Sequence, residues 1–282
     1  PRLIAVSIKM YGNDGPLGEQ TGYAPCFAAL GGLHHLVGHE ASQPLGTNMR
    51  YGDSTVGACA VLGSLIALFH REQTGEGQSV DISAVECMAA MAGDVLVQHA
   101  MTGEVPGPDG NLHSEYAPHG VYPCRDGAWL CLAVSSDDEW LTLCHQLGNP
   151  ALASRPEFAD ADTRRANASL LDDEIGRLTR VRNADALAAQ LCRAGVSASK
   201  SLSSLDMIGD EILWHSGVFR HVSDHRQGSR PIIAPGWRMS RTDHHIGRGG
   251  PRLGEHNHQV YGDLLGLTAA EIAALQRDGV IY

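Results

Sequence analysis

The chain has 282 residues, of which 43% are hydrophobic and 33 are glycine, and its formal net charge is −11. That length and apolar content suffice for a sizeable core and about two domains. The negative charge argues against sequence-independent nucleic-acid binding and against anionic membrane surfaces, both of which call for a positive footprint.

Residues 1 to 101 read in order as strand, loop, helix, glycine turn, helix, strand and helix, an alternation that suits part of an α/β domain with a parallel sheet. Val56, Leu62, Leu65, Ile66 and Phe69 fall at helical spacing over residues 56–70. Gly57, Ala58, Ala60, Gly63 and Ser64 leave another face of that helix thin enough for close packing. Just ahead, in Met49-Arg50-Tyr51-Gly52-Asp53-Ser54, the expected N-cap is Asp53 or Ser54. Either choice sets a carboxylate beside the partial positive charge of a helix start. An aspartate in such a place serves by default as a cap, so what surrounds it decides whether it does more.

A polar glycine turn over residues 71–78 then leads into the alternating strand Ser79-Val80-Asp81-Ile82-Ser83 and a helix over about 84–101 that carries Glu86. Residues 102–114 turn polar and rich in proline and glycine, which marks a linker. Beyond it, residues 119–124 and 128–134 flank Arg125-Asp126-Gly127, a hairpin signature. Helices over 136–147, 164–180 and 183–194, a strand near 196–200 and a hairpin over 219–233 complete a small α+β domain spanning 115–235. Residues 236–282 form a C-terminal segment.

No apolar run reaches the roughly 18 residues that span a bilayer, and no charged-then-apolar start resembles a signal peptide. The expected setting is therefore cytoplasmic, with no membrane partner. The seven cysteines are odd in number, scattered and mostly set in apolar segments, which favours reduced thiols over disulfides. Of the fifteen histidines, His34, His35 and His39 come nearest to a metal-like spacing, but no Cys or Glu partner stands at zinc spacing. His244-His245 and His256-Asn257-His258 read as solvated or structural, and no metal is expected.

The block around Asp53 also carries a resemblance. Gly52-Asp53, Gly57, Gly63, Ala67-Leu68, Arg71, Thr74-Gly75, Gly77-Gln78, Val80-Asp81, Ser83 and Glu86 follow in the order found in the family III CoA-transferases, the group of formyl-CoA transferase, carnitine CoA-transferase and the α-methylacyl-CoA racemases. Residues 1–12, Gly15-Pro16 and Gly22-Tyr23 resemble the family's preceding strand and loop. Ala194-Gly195-Val196, residues 238–242, residues 251–257 and the final helix resemble its later signatures, so the likeness covers nearly the whole chain.

Several expectations follow from the resemblance alone. It implies a Rossmann-like large domain over 1–101 that lacks the family's N-terminal βαβ units, and with them most of the coenzyme-contacting residues. The segment 236–282 would return to the large domain, in an interlocked homodimer. The substrates implied are an acyl-CoA and a free carboxylic acid, with coenzyme A as co-substrate. Asp53 would be the nucleophile, with Tyr23, Gly22 and Gly52 lining the substrate. In the racemase branch the position of Tyr23 resembles a proton-shuttling histidine, and tyrosine, with an ordinary pKa of about 10, is a poor base. The alternatives are a racemase-like enzyme and a non-catalytic dimerisation subunit.

Overall fold

In the computed structural model, which describes residues 1–39, 43–46, 51–224, 228–242 and 246–282, the two alternating segments of the N-terminal region are strands of a parallel pair. They are β1 (Ala5–Lys9) and β2 (Ser79–Ser83), in register from Ala5 opposite Ser79 to Lys9 opposite Ser83. Between them lie the helices α1 (Ala24–Leu30), α2 (Leu33–Leu36) and α3 (Tyr51–Thr74), and after them α4 (Ala84–Met91) and α5 (Gly93–Thr102). A parallel pair needs such a helical crossover, because its strands must both run the same way.

Helix α3 is longer at both ends than the 56–70 stretch read from periodicity. Asp53 accordingly sits within its first turn and not at the cap, because Tyr51 and Gly52 are already helical. Met49 and Arg50 lie outside the described residues. Gly52, Val56, Ala60 and Ala67 form the buried stripe, and α3 packs against α1, α4 and β2. Val61, Leu62, Leu65, Ile66 and Phe69 stay exposed on its other side. The reading that no apolar run is long enough to span a bilayer is corrected here: an 18-residue stretch within α3 is long and apolar enough to do so, by length and composition alone.

The single helix expected over 84–101 is interrupted at Ala92, whose φ/ψ of −98°/22° departs from the helix. Gly93 follows the break, and glycine holds a helix poorly. Ser83 caps α4 with its side chain, accepting from the Glu86 N–H at 3.3 Å. Methionines, alanines and Phe27 build the local core: Met10, Phe27, Ala28, Val56, Ala84 and Met88 are all buried.

A second, larger core lies under the antiparallel sheet of β3 (His119–Pro123), β4 (Trp129–Ala133) and β5 (Ser197–Lys200), in the order β3-β4-β5. The hairpin turns where the sequence places it, with Gly127 at φ 76°. Helices α6 (Asp137–Gln146), α7 (Ala161–Ala166), α8 (Ala168–Thr179) and α9 (Ala184–Arg193) accompany the sheet, with two short 3-10 turns at Pro150–Ser154 and Pro156–Phe158. The expected 164–180 helix is two helices because Asn167 leaves helical geometry at φ −113°. Arg164 is 1% exposed in this core. Its guanidinium donates to the Ala117 and Phe158 carbonyls and pairs with Asp137 at 2.8 Å.

These elements form one compact unit, Pro1–Ser201. The second unit, Leu202–Tyr282, holds α10 (Ser204–Gly209), α11 (Glu211–His215), the antiparallel hairpin of β6 (Phe219–Asp224) and β7 (Gly228–Ile233), a π-helical turn (His258–Leu264) and α12 (Ala269–Arg277). Thr268 and Glu271 cap α12 reciprocally. His244 and His245 lie outside the described residues.

Candidate active site

A cleft of about 490 Å³ opens at the carboxyl ends of the parallel strands. Ligand sites of open α/β sheets form there, because the loops that follow the strands diverge around a crevice. The strand end contributes Ile8, Lys9 and Met10, the loop behind it residues 18–22, and the first turns of α3 contribute Asp53, Val56 and Gly57. Ala84, the first residue of α4, and the ring of Phe27 complete the lining.

Each part of this wall is held by a contact legible in the residues. Asp81 of β2 accepts the Asn13 N–H at 2.8 Å, and Ser7 reaches the Asn13 side chain at 2.9 Å. The loop after β1 is thereby fastened to the neighbouring strand. Gly12, at φ 81°, faces Asp81, where a Cβ would come within 3.1 Å of the carboxylate. The Val85 N–H donates to the Met10 carbonyl at 3.0 Å, which fixes the start of α4 against the end of β1.

The chemistry available is a carboxylate among apolar side chains with two helix starts nearby. Asp53 is exposed, and the amide groups of the first turns of α3 and α4 have no acceptor within their own helices. In α4 the Val85 N–H is taken by the Met10 carbonyl and the Glu86 N–H by Ser83; the groups left open favour negative charge in front of them. Lys9 is the one lysine or arginine in the lining. Its ammonium donates to the Gly18 carbonyl and to Glu19, each at 3.3 Å. Glu19 is thus ion-paired at the exposed rim, while Asp53 lines the cleft in the first turn of α3.

The predicted residues divide between three settings. Asp53 and Gly22 line the cleft. Gly22 is tight against Met10, and any side chain there would overlap the Met10 sulfur. Gly52 is buried beneath the site, where a methyl group would overlap the ring of Phe27. Tyr23 caps α1 with extended backbone, and its carbonyl accepts from Cys26 and Phe27. Its ring is 83% exposed and is not part of the cleft lining. Lys9, Gln20 and Thr21 were not singled out by sequence reasoning. Their signal is topological: Lys9 ends β1, a strand of a parallel pair, and Gln20 and Thr21 lie in the loop that follows it.

The family model described as CoA-transferase family III matches residues 1–257. The succinyl-CoA–D-citramalate CoA-transferase of Chloroflexus aurantiacus is 31% identical over 283 residues, covering 100% of this chain and 70% of that protein. The formyl-CoA:oxalate CoA-transferase of Streptomyces avermitilis is 27% identical, covering 100% of this chain and 72% of its own length. The succinate–glutarate CoA-transferase of Agrobacterium fabrum is 29% identical over 94% of this chain and 66% of its own. Among solved structures, a CaiB/BaiF family protein from Brucella suis superposes with a TM-score of 0.84 at 28% identity, over 94% of this chain and 68% of that one.

Proposed function

The chain belongs to family III of the CoA-transferases, enzymes whose substrates are CoA thioesters, and from that premise we propose that it moves CoA from an acyl-CoA to a free carboxylic acid through Asp53. The observation that carries this reading is the placement of Asp53 in the cleft at the strand ends, beside two helix starts, with the other lining carboxylate, Glu19, paired to Lys9.

In the proposed reaction an Asp53 carboxylate oxygen attacks the thioester carbonyl, the C–S bond breaks, and CoA thiolate leaves a mixed anhydride behind. The thiolate then attacks the aspartyl carbonyl and expels the first carboxylate, giving an aspartyl-CoA thioester. The incoming carboxylate repeats the two steps in reverse and restores Asp53. The thioester's free energy is conserved throughout, so no nucleotide is consumed. Backbone N–H groups at the starts of α3 and α4 are the donors nearest to the negative charge that develops on the attacked oxygen.

The names of the relatives in Chloroflexus and Agrobacterium pair succinate or its thioester with small dicarboxylic acids. We take succinyl-CoA as the first donor to test, with a small dicarboxylate as acceptor. Tyr23, Gly22 and Gly52 remain the proposed surroundings of the acyl group, Gly52 through the ring of Phe27 and not by direct contact. We further propose an interlocked homodimer working in the cytoplasm.

The test is covalent. Incubated with succinyl-CoA and no acceptor, then digested with trypsin, the protein should yield the peptide 51–71 carrying CoA on Asp53, and a chase with labelled dicarboxylates should discharge it. CoA found on Glu19, or exchange with no adduct at any time, would overturn the assignment.

A further inference from the structure

Helices α3 and α4 meet along a seam whose rungs follow one another at helical spacing. The Thr55 hydroxyl lies 3.3 Å from the sulfur of Met91. One turn on along α3 and one turn back along α4, which pack against each other, Cys59 and Cys87 stand at the next rung, close enough for Cys59 to act on the Cys87 thiol. A turn beyond, Gly63 brings the backbone of α3 close to β2, where a Cβ would lie 3.0 Å from Val80 and 3.5 Å from Ile82. The two rungs between α3 and α4 run in opposite chain directions, as antiparallel packing requires, and the inner one is a pair of free thiols. Both are half-buried, open to a small reagent while still packed between helices.

We propose that Cys59 and Cys87 are an oxidation site that closes into a reversible intramolecular disulfide, clamping the helix of Asp53 to α4. A small-molecule disulfide is the oxidant. One protein thiolate attacks it, one S–S bond is exchanged for a mixed disulfide, and one small thiol leaves. The second protein thiolate then attacks the protein sulfur of the mixed disulfide and expels the second small thiol. Two protein S–H bonds and the oxidant's S–S bond are lost, one protein S–S bond is made, and the two protons and two electrons end on the two small thiols. Proximity selects this pair, not acidity: burial first, and then the neighbouring Cys59, push the Cys87 thiol up to about 11. The closure is accordingly slower than capture of an exposed low-pKa thiol.

The test uses the whole chain and oxidised glutathione, with reduced glutathione as the control. After free thiols are alkylated and the protein is digested with trypsin without reduction, the tryptic peptides 51–71 and 72–125 should appear joined. Fragment ions should place the bond at Cys59 and Cys87 and not at Cys124. Dithiothreitol should release it. Cys59→Ser and Cys87→Ser should each abolish the link, whereas Cys26→Ser should leave it intact. The thermal midpoint should rise on oxidation of the parent protein and stay put in both of the first two variants, whose circular dichroism must match the parent. The proposal fails if Cys59 and Cys87 are recovered alkylated or glutathionylated with no bond between them. It also fails if a link to peptide 51–71 persists in Cys87→Ser, or if the bond forms only in denaturant.

Discussion

Replacing Asp53 by alanine separates a chemical role from a structural one, because the structure sets the two effects far apart in size. Asp53 is exposed in the first turn of α3. Its favourable interaction with the helix start is worth about 0.3–1 kcal/mol, while alanine returns roughly 0.5 kcal/mol of helix propensity. The net change in stability should fall within about 0.5 kcal/mol, which for a chain of this size shifts the thermal midpoint by about 1–2 °C. Loss of a covalent nucleophile, by contrast, costs on the order of 10⁴-fold or more in turnover. The assay is thioester exchange between succinyl-CoA and labelled dicarboxylates, read by mass spectrometry beside a melting curve. Asp53→Asn should behave as alanine does, since an amide keeps the shape but is not a nucleophile. Turnover within tenfold of the parent in either variant would refute the reasoning, as would a midpoint lowered by many degrees, which would make Asp53 a structural residue.

Other expectations rest on other parts of the molecule. Gly52→Ala should destabilise by about 1–2 kcal/mol, because overpacking against buried Phe27 outweighs the gain in helix propensity, and Phe27→Leu in the same chain should recover most of the loss; an alanine variant that melts above the parent would show that the ring can move aside. Arg164→Leu should cost about 2–4 kcal/mol through the Ala117 and Phe158 carbonyls it leaves without their donor, with a denaturant midpoint unchanged from the parent as the contrary result. With a chiral 2-methylacyl-CoA in heavy water no deuterium should enter the α-carbon, since the position that resembles the racemases' proton-shuttling histidine holds a tyrosine; rapid incorporation would favour racemase chemistry. Labelled and unlabelled protein, mixed and followed by native mass spectrometry, should exchange subunits only over many hours if the dimer interlocks, and heterodimers within minutes, or a stable monomer, would rule that out.

Much of the fold could be read locally. The hairpin around Arg125-Asp126-Gly127, the strands at 79–83 and 197–200 and the β6–β7 hairpin all declare themselves by alternation and by a turn residue with the right conformation. Helix ends were less legible. Tyr51 and Gly52 offer no apolar periodicity, so the sequence suggests a helix from Val56 with Asp53 or Ser54 as its cap, whereas both lie inside the helix. The breaks at Ala92 and Asn167 escaped for a related reason, since the apolar spacing continues across both while the backbone alone departs from the helix. The apolar reach of α3 was also underestimated, because its span is set by the helix and not by an uninterrupted run of apolar letters.

The site shows the same division between local and non-local information. Asp53 could be found because a motif surrounds it in sequence, whereas Lys9 lies far up the chain and reaches the cleft only through the pairing of β1 with β2. That pairing was itself predictable as parallel, and a parallel pair carries a rule: the crevice lies beyond the carboxyl ends of its strands. Lys9 is the last residue of β1, and its register partner Ser83 is the last of β2 and the cap of α4. Applied to those two positions, the rule points to the place where Lys9 lines the cleft and Ser83 adjoins the lining residue Ala84. Tyr23 shows the converse. It was chosen by likeness alone, no element geometry directs its ring towards the strand ends, and in the structure that ring faces solvent at the start of α1. Where a residue stands in the topology is therefore the better guide to this cleft than its place in a motif, and a side chain named for its motif needs a strand end or a helix start behind it before it is given a role.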